Sequence, residues 1–285
     1  MSDQGWSYHC FNCTATASFV LGRTVSYRTR KLLTSLQVSQ ELIDLLNLES
    51  LKHRSVFGLL DDRSKMIDQL MAIEFEEVDE FPAGSELVTE EHTEQWNYLR
   101  SRCVPKDFPV MTAIRNDGGP WNRSHVLIPF TYNGLIVGFT SRMLDNRKPK
   151  YISHSQPGYV FGIDLQRAKW QHVLVMEGVF DALSIGGVAV MHSTISDAQA
   201  RLIRTLGREI TVVPDQDQAG LELVDRALEL GWPVSIPEWE DCKDVNDAVR
   251  KYGKLTTLLT IFAARETSRI KIEMRKKQLA KRLRD

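Results

Sequence analysis

The stretch that decides the fold is residues 173–247. It opens with VLVMEGVFD (173–181), continues through ITVV (210–213) into PDQDQAG (214–220), and closes with DCKDVND (241–247). Its acidic clusters follow apolar runs of strand length. Carboxylates placed where hydrophobic strands end lie at the carboxyl edge of an open α/β sheet, where such folds bind their ligands. The pattern therefore predicts a ligand site built on that edge.

Apolar runs alternate with helical patterns along this stretch, which favours a small parallel sheet with crossover helices. Ser196 is positioned to cap a helix amino terminus, and Gly207 and Gly231 stand where helices end. The predicted strands cover 173–176, 188–191, 210–213 and 234–236, and the predicted helices cover 181–186, 197–206 and 219–230.

Several hard oxygen ligands at one edge suit Mg²⁺ or Mn²⁺. Residues 215–220 also match the start of an EF-hand loop, but its twelfth position is Arg226 instead of Glu, which argues against calcium. A single such cluster would be typical of turn or cap chemistry. Three in order favour a metal site. The candidate metal ligands are Glu177, Asp215, Asp217, Asp244 and Asp247, among which Asp215, Asp217 and Asp244 are favoured, with Asp181 and Asp247 more peripheral. The candidate catalytic residues are Glu177, Asp181, Asp215 and Asp217.

Together these clusters resemble the TOPRIM domain shared by bacterial-type primases, topoisomerases and some nucleases. Residues 127–142 and 148–152 resemble the basic subdomain that precedes TOPRIM in bacterial primases and is absent from the other two classes. Residues 95–107 and 244–253 are most similar to the primase subunit of T-even-like phages. The resemblance, over about residues 95–253, implies an α/β fold. A TOPRIM domain, with a Rossmann-like small parallel sheet and flanking helices, would follow an α+β basic primase subdomain.

The resemblance implies a DNA primase that uses ribonucleoside triphosphates to make short RNA primers on single-stranded DNA for phage replication. Two-metal nucleotidyl transfer would join the ribonucleotides. Glu177 would either bind metal or act as general base through a water. Arg142, Lys148 and Lys150 would supply positive charge to template and triphosphate, and Tyr151 would stack on a base. The alternative for these four is a solvated basic hairpin.

Two other functions stay open. The first is a TOPRIM nuclease or strand-transfer protein, disfavoured by the basic segment 127–151. The second is a catalytically weak, DNA-binding accessory subunit. The sequence has no Gly-x-x-x-x-Gly-Lys-Ser/Thr phosphate loop, so a separate replicative helicase is the expected partner.

The amino-terminal YHCFNC (8–13) resembles the second half of the zinc ribbon of bacterial and phage primases. Structural zinc needs four ligands, whereas only Cys10 and Cys13 are present here, so a vestigial turn is favoured over zinc bound by this chain alone. Loss of half the ribbon, completion by another polypeptide and a different true start are the possible causes. Cys103 and Cys242 are interpreted as buried or reduced thiols.

The overall net charge of −1 conceals local charge segregation. Residues 74–94 hold nine acidic and no basic Lys or Arg residues, and 265–285 hold nine basic and three acidic ones. The sequence has no apolar run long enough for a membrane span and no signal pattern, so we expect a cytoplasmic protein, in the host bacterium if phage-encoded. Helices are predicted at 28–36, 40–51, 65–73 and 255–283, with Ser39 and Asp62 as caps. The predicted organisation is a half-ribbon remnant (1–22), a helical segment with acidic linker (23–94), the basic subdomain (95–165), TOPRIM (166–253) and a basic carboxyl-terminal helix (254–285).

Overall fold

The computed structural model describes residues 5–9, 16–20, 25–50, 73–78, 81–82, 84–113, 121 and 123–284. The chain divides into two units, Met1–Ala72 and Ile73–Asp285, which are described separately. No helix in the described part is long and apolar enough to cross a membrane.

The amino-terminal unit combines a hairpin with two helices. Strands β1 (Gly5–His9) and β2 (Thr16–Val20) pair antiparallel. Helix α1 (Tyr27–Ser35) is capped by Ser26, whose hydroxyl accepts the Thr29 N–H at 3.2 Å. Helix α2 (residues 40–50) follows Ser39, whose hydroxyl accepts the Leu42 N–H at 3.4 Å. Two of the predicted helices and the Ser39 cap are thus confirmed. Cys10, Cys13, Asp62 and the predicted helix at 65–73, except Ile73, lie outside the described residues.

The second unit begins with a five-stranded antiparallel sheet in the order β3-β4-β5-β6-β7. Its long hairpin turns at Asn133-Gly134, where both residues have positive φ, as a two-residue hairpin loop with right-handed twist requires. Helix α3 (Thr93–Ser101) lies between its first two strands in sequence. The strands are β3 (Ser85–Leu87), β4 (Met111–Ala113), β5 (His125–Tyr132), β6 (Leu135–Met143) and β7 (Tyr151–His154).

A second five-stranded sheet has the order β12-β11-β10-β8-β9, in which β12 alone is antiparallel to its neighbour. The four predicted strands and three predicted helices of this region are confirmed. The first of these helices, α4, begins at Val179, two residues before the predicted start. The elements are β8 (His172–Met176), α4 (Val179–Ile185), β9 (Val188–Ala189), α5 (Asp197–Arg204), β10 (Glu209–Val212), α6 (Gln218–Leu230), β11 (Val234–Ser235), α7 (Val245–Tyr252), α8 (Lys254–Ala263), β12 (Arg265–Glu266) and α9 (Arg269–Arg282).

The helix boundaries follow from local chemistry. Ser196 and Gln199 form a reciprocal capping box at the start of α5, as predicted for Ser196. Gly231 ends α6 in the left-handed conformation, and Gly207, also at positive φ, follows the end of α5.

The central strand β8 is buried on both faces, as expected of a parallel strand between two layers. Leu174 and Met176 face a core that also contains Ile128 and Phe130 of the antiparallel sheet. Val173 and Val175 face a second core, closed by side chains of α5, α6 and α9. The two sheets therefore share one hydrophobic core.

The prediction of one helix over 255–283 was wrong. The chain leaves the helical conformation after Ala263, and Arg265 and Glu266 pair with Ser235 and Val234 to form the edge of the sheet. The guanidinium of Arg265 donates to the Thr211 hydroxyl at 2.9 Å. Strand pairing and this side-chain bond stabilise the break, although no Gly or Pro marks it in the sequence.

Candidate active site

Four acidic residues reach one edge of the parallel sheet. Glu177 follows β8 directly, and Asp215 comes three residues after β10. Asp181 lies in the first turn of α4, and Asp244 immediately precedes α7. Because the carboxyl ends of parallel strands meet at the same edge, residues far apart in sequence come together here.

A cavity of about 530 Å³ opens between this edge and the antiparallel sheet. The acidic residues line one side, and polar residues of β6 and β7 line the other. Basic side chains also reach it. The acidic lining residues are Glu177, Asp181, Asp215 and Asp244, the polar ones of the antiparallel sheet are Thr140, Tyr151 and Ser153, and the lining also includes Arg102, His192 and Lys243.

Asp217 and Asp244 are helix caps as well as candidate ligands. One oxygen of Asp217 accepts the Gly220 N–H at 3.0 Å, and one oxygen of Asp244 accepts the Asp247 N–H at 2.7 Å. In each carboxylate the second oxygen takes no part in the cap. Each of these two aspartates can therefore cap a helix and also bind a metal.

Two glycines let the backbone come close to the carboxylates. A Cβ on Gly220 would lie 1.9 Å from the Asp215 carbonyl oxygen. A Cβ on Gly178 would lie 2.3 Å from a carboxylate oxygen of Asp181. The Gly220 contact is with backbone, so this position requires glycine, whereas a side chain at position 178 would require the Asp181 carboxylate to move.

The carboxylates are crowded and poorly solvated. Burial, followed by the charges of Asp217 and Asp181, raises the pKa of Glu177 to about 7, although the Asp215 N–H bond at 3.4 Å opposes the rise. Burial and the charges of Glu177 and Asp244 raise the pKa of Asp215 to about 8. Burial, with Asp244 and Asp215 nearby, raises the pKa of Asp181 well above its ordinary value. The positive charges of Lys243 and Arg102 lower the pKa values of Asp215 and Asp181, but they do not offset burial and the crowding of the carboxylates.

This deficit fits a divalent cation, which would favour the ionised carboxylates. Among the described residues, no three His, Cys, Asp or Glu side chains are already gathered around one metal position. The carboxylates would therefore have to reorient on binding an ion.

Several other predicted site residues do not line the main cavity. Asp217 does not line the cavity, but its charge raises the pKa of Glu177. The carboxylate of Asp247 lies 3.4 Å from the Arg250 guanidinium, and Asp247 lines a neighbouring cavity instead. Lys148 and Lys150 are exposed in the loop before β7 and do not line the main cavity.

Arg142 and Tyr151 face each other across β6 and β7. The Arg142 guanidinium lies 4.7 Å from the centre of the Tyr151 ring, a cation–π contact. Arg142 Nε is buried and has no hydrogen-bond partner among the described residues. Tyr151 lines the cavity with one ring face already in contact with a cation.

Sequence reasoning did not assign Arg102 or Asn246 to the site. Arg102 lines the cavity, stacks at 5.2 Å on the Phe180 ring, and has a buried Nε without a partner in the described part of the chain. Asn246 is fully buried: its N–H donates to Asp181 at 2.7 Å and its side-chain amide donates to the Arg102 carbonyl at 2.7 Å. The available signals were that Arg102 falls in the 95–107 segment and that Asn246 lies between two acidic residues.

Comparison with known proteins agrees with this architecture. The Toprim-like family model matches residues 174–249. The DNA primase of Clostridium acetobutylicum is 28% identical over 151 residues, covering 46% of this chain and 25% of that protein. The DNA primase of Deinococcus radiodurans is 31% identical over 148 residues, covering 45% and 26%. The matched segments thus span about a quarter of the length of these relatives.

The crystal structure of the Aquifex aeolicus primase, comprising its zinc-binding and RNA polymerase domains, superposes with a TM-score of 0.50. It is 15% identical, and the match covers 93% of this chain and 80% of that one. The predicted fold class, a TOPRIM domain preceded by an α+β subdomain, is confirmed.

Proposed function

We propose that this chain is a DNA primase, which synthesises short RNA primers on single-stranded DNA from ribonucleoside triphosphates. One observation carries the proposal: the acidic edge of the TOPRIM sheet and the polar face of the antiparallel sheet line the same cavity of about 530 Å³. Similarity to DNA primases over about 150 residues supports it.

The acidic residues would hold the metal. When bound at this edge, two Mg²⁺ or Mn²⁺ ions would activate a ribose 3′-hydroxyl and neutralise the leaving pyrophosphate. Asp215, Asp217 and Asp244 are the proposed ligands. Glu177 either joins them or accepts the hydroxyl proton through a water, a role that suits a pKa of about 7.

Basic residues would orient the substrates. Arg102 and Lys243 line the cavity and would balance the charge of the incoming triphosphate. Arg142, Lys148 and Lys150 would attract the template backbone along the antiparallel sheet. The pairing of Arg142 with Tyr151 leaves the other ring face for a base.

The proposal extends to the biological setting. Residues 95–107 and 244–253 support a primase of the T-even-like phage type. Such an enzyme would act with a separate replicative helicase, in the cytoplasm of the infected bacterium.

Primer synthesis by the full chain tests the proposal, with single-stranded template, Mg²⁺ and labelled ribonucleotides. Asp215→Asn and Asp217→Asn should each lower the yield at least 100-fold, because charge that stabilises the transition state is lost. Asn still caps a helix, so Asp217→Asn separates chemistry from folding. Asp247→Asn is the matched control and should retain most activity, because its carboxylate pairs with Arg250 at 3.4 Å, whereas the charge of Asp217 acts on Glu177.

Three results would contradict the proposal. Cleaved template without primers would indicate a nuclease, and binding without either product would indicate an accessory subunit. Near-parental primer yield from Asp215→Asn would remove the metal role from this edge.

A further inference from the structure

The basic residues of α9 fall into two groups along the helix. Those from Arg269 to Lys276 each pair with an acidic neighbour. Four basic residues, in the last turns of α9 and just after its carboxyl end, form no ion pair with any described residue. The paired residues are Arg269 with Glu273 (3.1 Å), Lys271 with Glu266 (3.7 Å), Arg275 with Glu238 (2.8 Å) and Lys276 with Asp225 (2.5 Å), and the unpaired ones are Lys277, Lys281, Arg282 and Arg284.

The last turns of α9 are held against the domain. Leu279, in the middle of the basic segment, is 1% exposed and belongs to the core beneath α6. Favourable interaction with the helix carboxyl terminus is one reason to find cations in a last turn. That interaction does not account for their position beside two cavities.

A groove connects these cations with the candidate active site. Lys243 lines both the main cavity and a neighbouring cavity of about 560 Å³, which Arg282 also lines. Arg282 also lines a third cavity of about 410 Å³, together with Lys281 and Arg275. Consecutive cavities share a lining residue, so the three are neighbours that lead from the acidic edge to the flank of α9. We refer to the two outer cavities as the groove.

The groove has an excess of positive charge. Each acidic residue that lines its two outer cavities already lies beside a cation, so none offsets Lys281 or Arg282. These pairs are Asp247 with Arg250 (3.4 Å), Asp241 with Lys251 (3.7 Å) and Glu238 with Arg275 (2.8 Å).

We propose that this groove binds the phosphodiester backbone of a nucleic-acid strand that extends from the catalytic cavity. From Arg275 to Arg282, which both line the groove, the helix rises about 10 Å at roughly 1.5 Å per residue. That length matches about three phosphates at roughly 3.4 Å along one strand of a duplex. The inference rests on the proposed function for the identity of the polyanion. Both a DNA template and an RNA–DNA hybrid product carry this chemistry.

The test compares two double variants of the full chain. Lys281→Gln/Arg282→Gln removes two unpaired cations from the groove. Arg269→Gln/Lys271→Gln removes two paired cations from the start of the same helix and changes the net charge equally. All four side chains are exposed, so both variants should fold, which their unfolding temperatures would verify.

Fluorescence anisotropy would give the affinity for labelled single-stranded DNA and for an RNA–DNA hybrid at several salt concentrations. The groove variant should bind about 10-fold more weakly and lose about 1.4 to 1.8 from the slope of log affinity against log salt, which corresponds to two phosphate contacts. The control should bind within about 2-fold of the parent, since its cations are already neutralised.

A loss confined to the hybrid assigns the groove to the product, and a loss confined to single-stranded DNA assigns it to the template. Unchanged affinity and slope on both ligands, or equal losses in the two double variants, would overturn the proposal. If the parent chain makes no primers while the groove variant still loses affinity, the proposed function fails and the groove stands.

Discussion

The raised pKa values of the acidic edge predict that cation binding displaces protons. At pH 7.5, a Glu177 pKa of about 7 and an Asp215 pKa of about 8 leave these two groups holding about one proton between them. Asp181, whose pKa is also raised, adds to this store. Because the ionised forms bind the cation, saturating Mn²⁺ should release at least about one proton per chain.

The release can be measured by adding Mn²⁺ to weakly buffered protein with an indicator dye. Asp215→Asn should lower it by about three quarters of a proton at pH 7.5, since that is the protonated fraction of a group with a pKa of about 8. Asp247→Asn should release as much as the parent. At pH 9 the combined contribution of Glu177 and Asp215 should fall to about 0.1 proton.

Two results would refute this reasoning. Saturable Mn²⁺ binding without proton release would mean that the carboxylates are ionised in the metal-free protein. Equal release from the parent and Asp215→Asn would place the cation elsewhere.

Three further predictions concern stability and affinity. In EDTA, the unfolding temperature should fall as the pH rises from 5 to 8.5, because carboxyls whose pKa is higher in the folded than in the unfolded protein stabilise the fold only while they are protonated. Mn²⁺ should reverse the fall at pH 8.5. An unfolding temperature that does not change with pH in calorimetry would contradict this prediction. Asn246→Ala should lower the free energy of unfolding by about 2–3 kcal/mol in urea titrations, since it leaves the Arg102 carbonyl without its donor; a loss below about 0.5 kcal/mol would contradict this. Arg142→Gln should weaken single-stranded DNA binding and reduce its salt slope by about 0.7, without changing Mn²⁺ affinity; an unchanged slope would mean that Arg142 contacts no phosphate.

The parallel sheet could be predicted because its signals are local. The apolar runs at 173–176 and 210–213 are short, and each is followed within a few residues by the acidic cluster it positions. The cap interpretation of Asp217 and Asp244 was equally visible, since Asp favours helix starts. Sequence alone could not show that one carboxylate oxygen forms the cap and the other is left out of it.

The rest depends on contacts between distant segments. The bond between Asn246 and Arg102 joins residues 144 positions apart, and no local pattern predicts it. Asp247 lies in the first turn of α7, pairs with Arg250 one turn later and lines a neighbouring cavity instead of the main one. The break between α8 and α9 depends on pairing with β11, which the apolar spacing of 255–283 does not reveal.

The shared core of the two sheets has a thermodynamic consequence. Ile128 and Phe130 on one sheet pack in the same cluster as Leu174 and Met176 on the other, so neither sheet can lose its packing while the other keeps its own. The two should therefore unfold together in one cooperative transition. A nucleic acid that contacts only the antiparallel sheet would then stabilise the metal-binding edge as well, by about 2.7 kcal/mol at 100 times its dissociation constant. Template and cation would each protect the entire second unit from unfolding.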